Sequence, residues 1–131
     1  MRRLFIFLFL FIISFFANAQ TQLDLNISSK QKFISAETRL DSVYNCILIE
    51  YKSNPLFISN LKASQEMWLK LRDLELKVMY PEEPEKVYGS VFPMCINLYL
   101  ANLTNERINH LLIWLNGTEE GDVCAGSIKM K

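Results

Sequence analysis

The sequence predicts an all-α protein, an antiparallel bundle of three to four helices. Three observations predict it. Apolar residues recur at spacings of three and four in three separate stretches. Prolines and glycines punctuate the gaps between those stretches. No segment alternates apolar and polar residues between turn signals, so no strand is expected.

The chain begins with a different kind of pattern. Arg2 and Arg3 precede an unbroken apolar run from Leu4 to Ile13, and Ala17-Asn18-Ala19 closes the stretch. A basic start, a short apolar run and small residues at the exit describe a secretory signal peptide over residues 1–19. About 13 apolar residues fall short of the roughly 20 that span a bilayer. Cleavage after Ala19 is expected to leave a mature protein beginning at Gln20, periplasmic or secreted, with no membrane attachment. No cysteine follows the site to carry a lipid. The remainder has the size of one domain. The whole chain holds 14 basic and 14 acidic residues, so losing Arg2 and Arg3 leaves a slight acidic excess. Without a basic excess, a nucleic-acid partner is not expected.

Residues 20–30, QTQLDLNISSK, lack a pattern and read as a flexible leader. Phe33, Ala36, Leu40, Val43, Tyr44, Ile47 and Tyr51 then mark one helical face running to about Lys52. Pro55 suits the first turn of a second helix, with Asn54 or Ser53 as its cap. That helix, 55–79, carries Phe57, Leu61, Trp68, Leu71 and Leu76 opposite a charged face. PEEPEKVYGS ends it, and a third helical region spans about 91–116 up to Gly117. A break near Thr104 would make four helices. The tail beyond is glycine-studded and acidic.

Few of these residues suggest chemistry. His110 is the only histidine and has no ligand-spaced partners, so no metal site is expected. Nucleophile-elbow, phosphate-loop and zinc-protease motifs are lacking. No cofactor and no catalytic residue is expected, and an enzyme is not indicated. Two acidic segments remain, YPEEPE with Glu82, Glu83 and Glu85, and TEEGD at 118–122. Each is a solvated surface or a docking face for a cationic protein.

Four pieces together resemble a known family. LDSVY at 40–44, LKASQEMWLKLRDLE at 61–75, Cys95 and LTNERINHL at 103–111 look like the secreted N-terminal domain of the LprI lysozyme inhibitor family. The resemblance implies a helical domain over 31–131 and a non-catalytic binding protein whose partner is a lysozyme. The alternative is a periplasmic envelope-associated module that never binds one. The resemblance also assigns structural roles to Tyr44, Gln65, Trp68, Arg72, Asp73, Thr104 and Arg107. Asp73 accepting from Arg107 is one way such a network could be wired. Asp41, Ser64 and Leu71 depart from the family's usual asparagine, alanine and aromatic.

A further departure concerns the cysteines. Leu76 stands where many members have the cysteine that pairs with Cys95, which implies Cys124 as the substitute partner and a tail tethered by a Cys95–Cys124 disulfide. Cys46–Cys124 is the competing pair, and one of the three thiols stays free or joins another chain. An unbroken helix from 95 to 116, about 32 Å long, would strain the first pairing.

Overall fold

The computed structural model describes residues 2–82 and 87–131, with side chains from residue 21 onward. Three long helices carry the fold. Helix α1 spans Arg2–Glu50, α2 Pro55–Met79 and α3 Phe92–Asn116, with one 3-10 turn at Gly89–Val91 before α3. The fold is all-α, three helices packed together.

The first helix departs most from expectation. Residues 20–30 are not irregular but continue α1 without interruption. No proline or glycine occurs before Pro55, so nothing in the chain stops the helix earlier. Local polar bonds make the segment cohere. Ser29 is buried and donates to the Asn26 carbonyl at 2.8 Å, while Gln22 donates to the Asn26 side chain at 3.0 Å.

Helices α1 and α3 form the principal contact. Ser29, Phe33, Ala36, Leu40, Val43 and Ile47 step along α1 in alternating fours and threes, and all but half-buried Phe33 are buried. Ala101, Thr104, Ile108 and Leu111 do the same on α3. This alternation is the spacing of a coiled-coil seam. Three hydrogen bonds fix its direction. Asn26 reaches the Ser90 carbonyl, Thr104 reaches Glu37, and Tyr51 reaches the Trp114 carbonyl. Their separations of 64, 67 and 63 residues are nearly constant, so α1 and α3 run parallel. The four-residue connection before Pro55 makes α2 antiparallel to both, giving an up–down–up order.

Helix α2 is well capped but lightly buried. The Asn54 side chain accepts from the Phe57 N–H at 3.0 Å, Pro55 occupies the first turn, and the Tyr80 N–H closes the end on the Leu76 carbonyl. Leu61 is its only buried residue. Phe57 and Trp68 pack half-buried against the core, whereas Met67, Leu71, Leu74 and Val78 are exposed.

The third helix is unbroken through Thr104, so the four-helix variant does not arise. This continuity also removes the expected disulfide. Cys46, Cys95 and Cys124 are all free thiols. Cys95 sits in the first turn of α3, and the tail folds back at the opposite end of that helix. The intervening helix, about 32 Å long, holds the two sulfurs apart. Gly117 starts the return with φ 71° and ψ 178°, and a Cβ there would lie 2.8 Å from the Lys129 carbonyl oxygen. Only glycine fits. Thr118 N–H then donates to the Lys129 carbonyl and Lys131 N–H to the Thr118 carbonyl, both at 2.9 Å. The closed tail is pinned to the bundle end by Trp114 donating to Ser127 at 3.0 Å and by the Lys129 N–H donating to the Tyr51 hydroxyl at 3.2 Å. A Lys129–Glu50 ion pair adds a third point. Hydrogen bonds hold the tail where a disulfide was expected.

Candidate functional site

The residues singled out by the resemblance gather around one aromatic ring. Trp68 leaves α2 towards the α1–α3 pair, and two guanidinium groups flank it. Arg72 lies 5.0 Å from the ring centroid and Arg107 5.8 Å, both within cation–π range. Arg72 sits one turn after Trp68 on the same helix, as i and i+4 require. Arg107 comes from α3, so the stack bridges two helices.

The two arginines are satisfied differently. Arg72 Nη1 donates to Glu37 Oε1 of α1 at 2.5 Å and to Thr104 Oγ1 of α3 at 3.1 Å. Thr104 is fully buried and itself donates to Glu37 at 3.2 Å. One carboxylate therefore ties all three helices together. Arg72 also stacks 5.6 Å from the Phe33 centroid. Its Nε is the one buried side-chain polar atom without a partner among the described residues. Arg107, by contrast, has only neutral hydrogen-bond partners among the described residues. Its Nε donates to Gln65 Oε1 at 3.0 Å and its Nη2 to Ser64 Oγ at 3.1 Å. Burial lowers the pKa of Arg107 from the ordinary arginine value, with Tyr44 acting the other way. Burial likewise raises the Tyr44 phenol above the ordinary tyrosine value, and the Arg107 charge offsets part of that.

Six of the seven pattern residues are thus brought together: Tyr44, Gln65, Trp68, Arg72, Thr104 and Arg107. Asp73 is not. It is exposed, one residue round the helix from Arg72, and successive helical residues do not share a face. Glu37 is the acidic residue of the network, and sequence reasoning missed it. It lies one turn before the LDSVY stretch, between Ala36 and Thr38, and the sequence offers no signal that would single it out. Ser64, noted only as a departure, supplies an acceptor to Arg107.

The acidic segments lie at opposite ends. Glu82 is exposed beside Tyr80, and Tyr80 packs edge-on against Tyr88 at 5.3 Å and Phe92 at 5.1 Å. That aromatic cluster anchors both sides of the loop. Glu83 and Glu85 lie outside the described residues. At the other end of α3, Asp122 is engaged within the tail, accepting from Thr118 and from the Cys124 N–H.

A pocket of about 370 Å³ opens between α2 and α3 near the tail. Phe57, Leu111 and Trp114 supply apolar wall, and Asn60, Ser64 and Arg107 supply polar groups. Among the described residues no cluster of His, Cys, Asp or Glu could hold a metal ion.

The architecture is that of a small helical module whose polar residues are used to join helices. The family model described as Lysozyme inhibitor LprI matches residues 17–111, and the chain belongs to that family. The family is one of inhibitors rather than enzymes. No curated protein and no solved structure matches the chain.

Proposed function

We propose that this chain is a secreted or periplasmic, non-catalytic protein that binds a lysozyme and blocks it. Membership of the inhibitor family across residues 17–111 carries the reading. Export follows from the basic and apolar start, with cleavage after Ala19 leaving α1 to begin at Gln20.

Within this reading the loop between α2 and α3 is the contact surface. An inhibitor must present something that enters or covers a substrate cleft, and loops on a rigid scaffold do this. Pro81 and Pro84 restrict the chain, which lowers the entropy lost on docking. Glu82, Glu83 and Glu85 give a negative field towards a cationic enzyme. The tail cannot share this face, because α3 separates the two ends by about 37 Å.

Lysis of cell-wall suspensions, followed by turbidity, tests the function with purified mature protein and a lysozyme. Inhibition at molar excess is expected. Changing Glu82, Glu83 and Glu85 to Gln should slow association and flatten its salt dependence without altering the circular dichroism spectrum. Equal association of the triple variant at low salt reduces the loop to a connector. Undiminished lysis with the unaltered protein rejects the inhibitor reading in favour of an envelope-associated module.

A further inference from the structure

The two arginines on Trp68 make a controlled comparison. Arg72 and Arg107 are both largely buried, touch the same ring and donate to the same kind of neutral oxygen. Only Arg72 has a carboxylate, Glu37. Arg107 is 9% exposed, and among the described residues no Asp or Glu pairs with it. A buried cation without a counter-ion is costly, and a chain that supplies one at Arg72 has no general inability to do so. The Nη1 of Arg107 has no protein acceptor among the described residues, while its Nε and Nη2 are held by Gln65 and Ser64. The guanidinium is therefore fixed in place with one edge unused.

That residue lines the 370 Å³ pocket between α2 and α3. Among the described residues no Asp or Glu lines the pocket, so no negative charge competes there. The volume falls within the range of small-molecule sites. Phe57, Leu111 and Trp114 offer apolar and aromatic wall, and His110, edge-on to Trp114 at 5.5 Å, adds a polar group at the rim. Arg107 is the only Lys or Arg among the described lining residues, which matches one negative charge rather than two.

We infer that this pocket binds a small monocarboxylate with a ring-sized apolar body. The carboxylate takes the free edge of Arg107, and the body packs against Trp114 and Phe57. A charge-assisted bond of this kind supplies the counter-ion that the fold withholds. The site does not depend on lysozyme binding, because it lies near the tail, away from the loop proposed to meet the enzyme.

Nuclear magnetic resonance titration of the mature protein with benzoate, benzamide and inorganic phosphate tests the inference. Benzoate should shift the Arg107 Nε–H and Trp114 indole N–H signals saturably. Benzamide, which has the same ring without the charge, should bind at least about tenfold more weakly, the loss expected from one charge-assisted bond. Arg107→Met should abolish benzoate binding. Because that variant also cuts the Gln65 and Ser64 bonds, Asn60→Trp provides the second arm: it fills the pocket from an exposed position and leaves those bonds intact. It too should abolish binding while the circular dichroism spectrum and lysozyme assay stay unchanged. Equal affinity for benzoate and benzamide, equal affinity for phosphate, or undiminished benzoate binding by Asn60→Trp overturns the assignment.

Discussion

Glu37→Ala is the sharpest test of how the bundle is held together. The substitution removes the only carboxylate among the described residues that reaches Arg72, whose side chain is 10% exposed. It also removes the acceptor of the fully buried Thr104 hydroxyl. Breaking a fully buried pair costs about 3–5 kcal/mol, because the remaining charge is stranded. Glu37 itself is 37% exposed on its side chain, so water can reach the vacated position and part of that cost is screened. About 2–3 kcal/mol is therefore expected. Glu37→Gln keeps an acceptor for both donors but loses the charge, and should fall between the variant and the unaltered protein. Urea unfolding followed by far-ultraviolet circular dichroism measures each value at constant slope. A double-mutant cycle with Arg72→Met then isolates the pair, with a coupling of about 1.5–3 kcal/mol expected. A Glu37→Ala loss below about 0.5 kcal/mol, or strictly additive effects in the cycle, would refute the argument that this carboxylate ties the helices together.

Three further outcomes follow from the packing. Trp68→Ala should destabilise by about 2–4 kcal/mol, less than for a fully enclosed ring, because Trp68 is half-buried and loses two cation contacts as well as area; unchanged denaturant midpoints would show that the stack contributes nothing. Gly117→Ala should cost about 1–3 kcal/mol and release the tail, since its backbone angles are open only to glycine and its Cβ meets the Lys129 carbonyl; hydrogen exchange at Thr118 and Lys131 reads the release, and retained protection would contradict it. All three thiols should titrate, with exposed Cys46 and Cys124 reacting before half-buried Cys95; a Cys95–Cys124 peptide in non-reducing mapping would show that the tail can reach the far end of α3.

How much of this was legible depends on what kind of signal each residue carries. Helix α2 was readable to its boundaries because Asn54 and Pro55 start it and the prolines after Tyr80 follow its end. The third helix was readable because Gly117 takes a conformation that other residues resist. Residues 20–30 were not, because their contribution to the α1–α3 seam rests on Ser29, whose burial depends on a bond to Asn26 rather than on apolar character. The network residues could be picked out by resemblance, but not their wiring. Arg72 and Arg107 sit among acidic residues in sequence, and only the register of α1 against α2 puts Glu37, rather than Asp73, beside a guanidinium. The disulfide expectation failed for a related reason. Pairing depends on whether Thr104 starts a new helix or continues one, and its hydroxyl is used between helices instead of as a cap.

That choice at Thr104 has consequences for the whole module. With only Leu61 buried on α2, apolar burial alone places that helix weakly against its neighbours. The polar contacts of Trp68, Arg72 and Gln65 set its height and rotation instead, since each has one geometry in which its partners on α1 or α3 are met. A shift of α2 by one turn would strand Arg107 and Arg72 together, so the cost rises steeply with displacement. The loop with Glu82 is carried by the end of α2, and the 370 Å³ pocket is walled by its beginning. Both candidate binding surfaces are therefore positioned by the same arginine–tryptophan stack. A residue such as Gln65 can then be indispensable to binding without touching any partner, and substitutions at the stack must be judged by stability before they are judged by function.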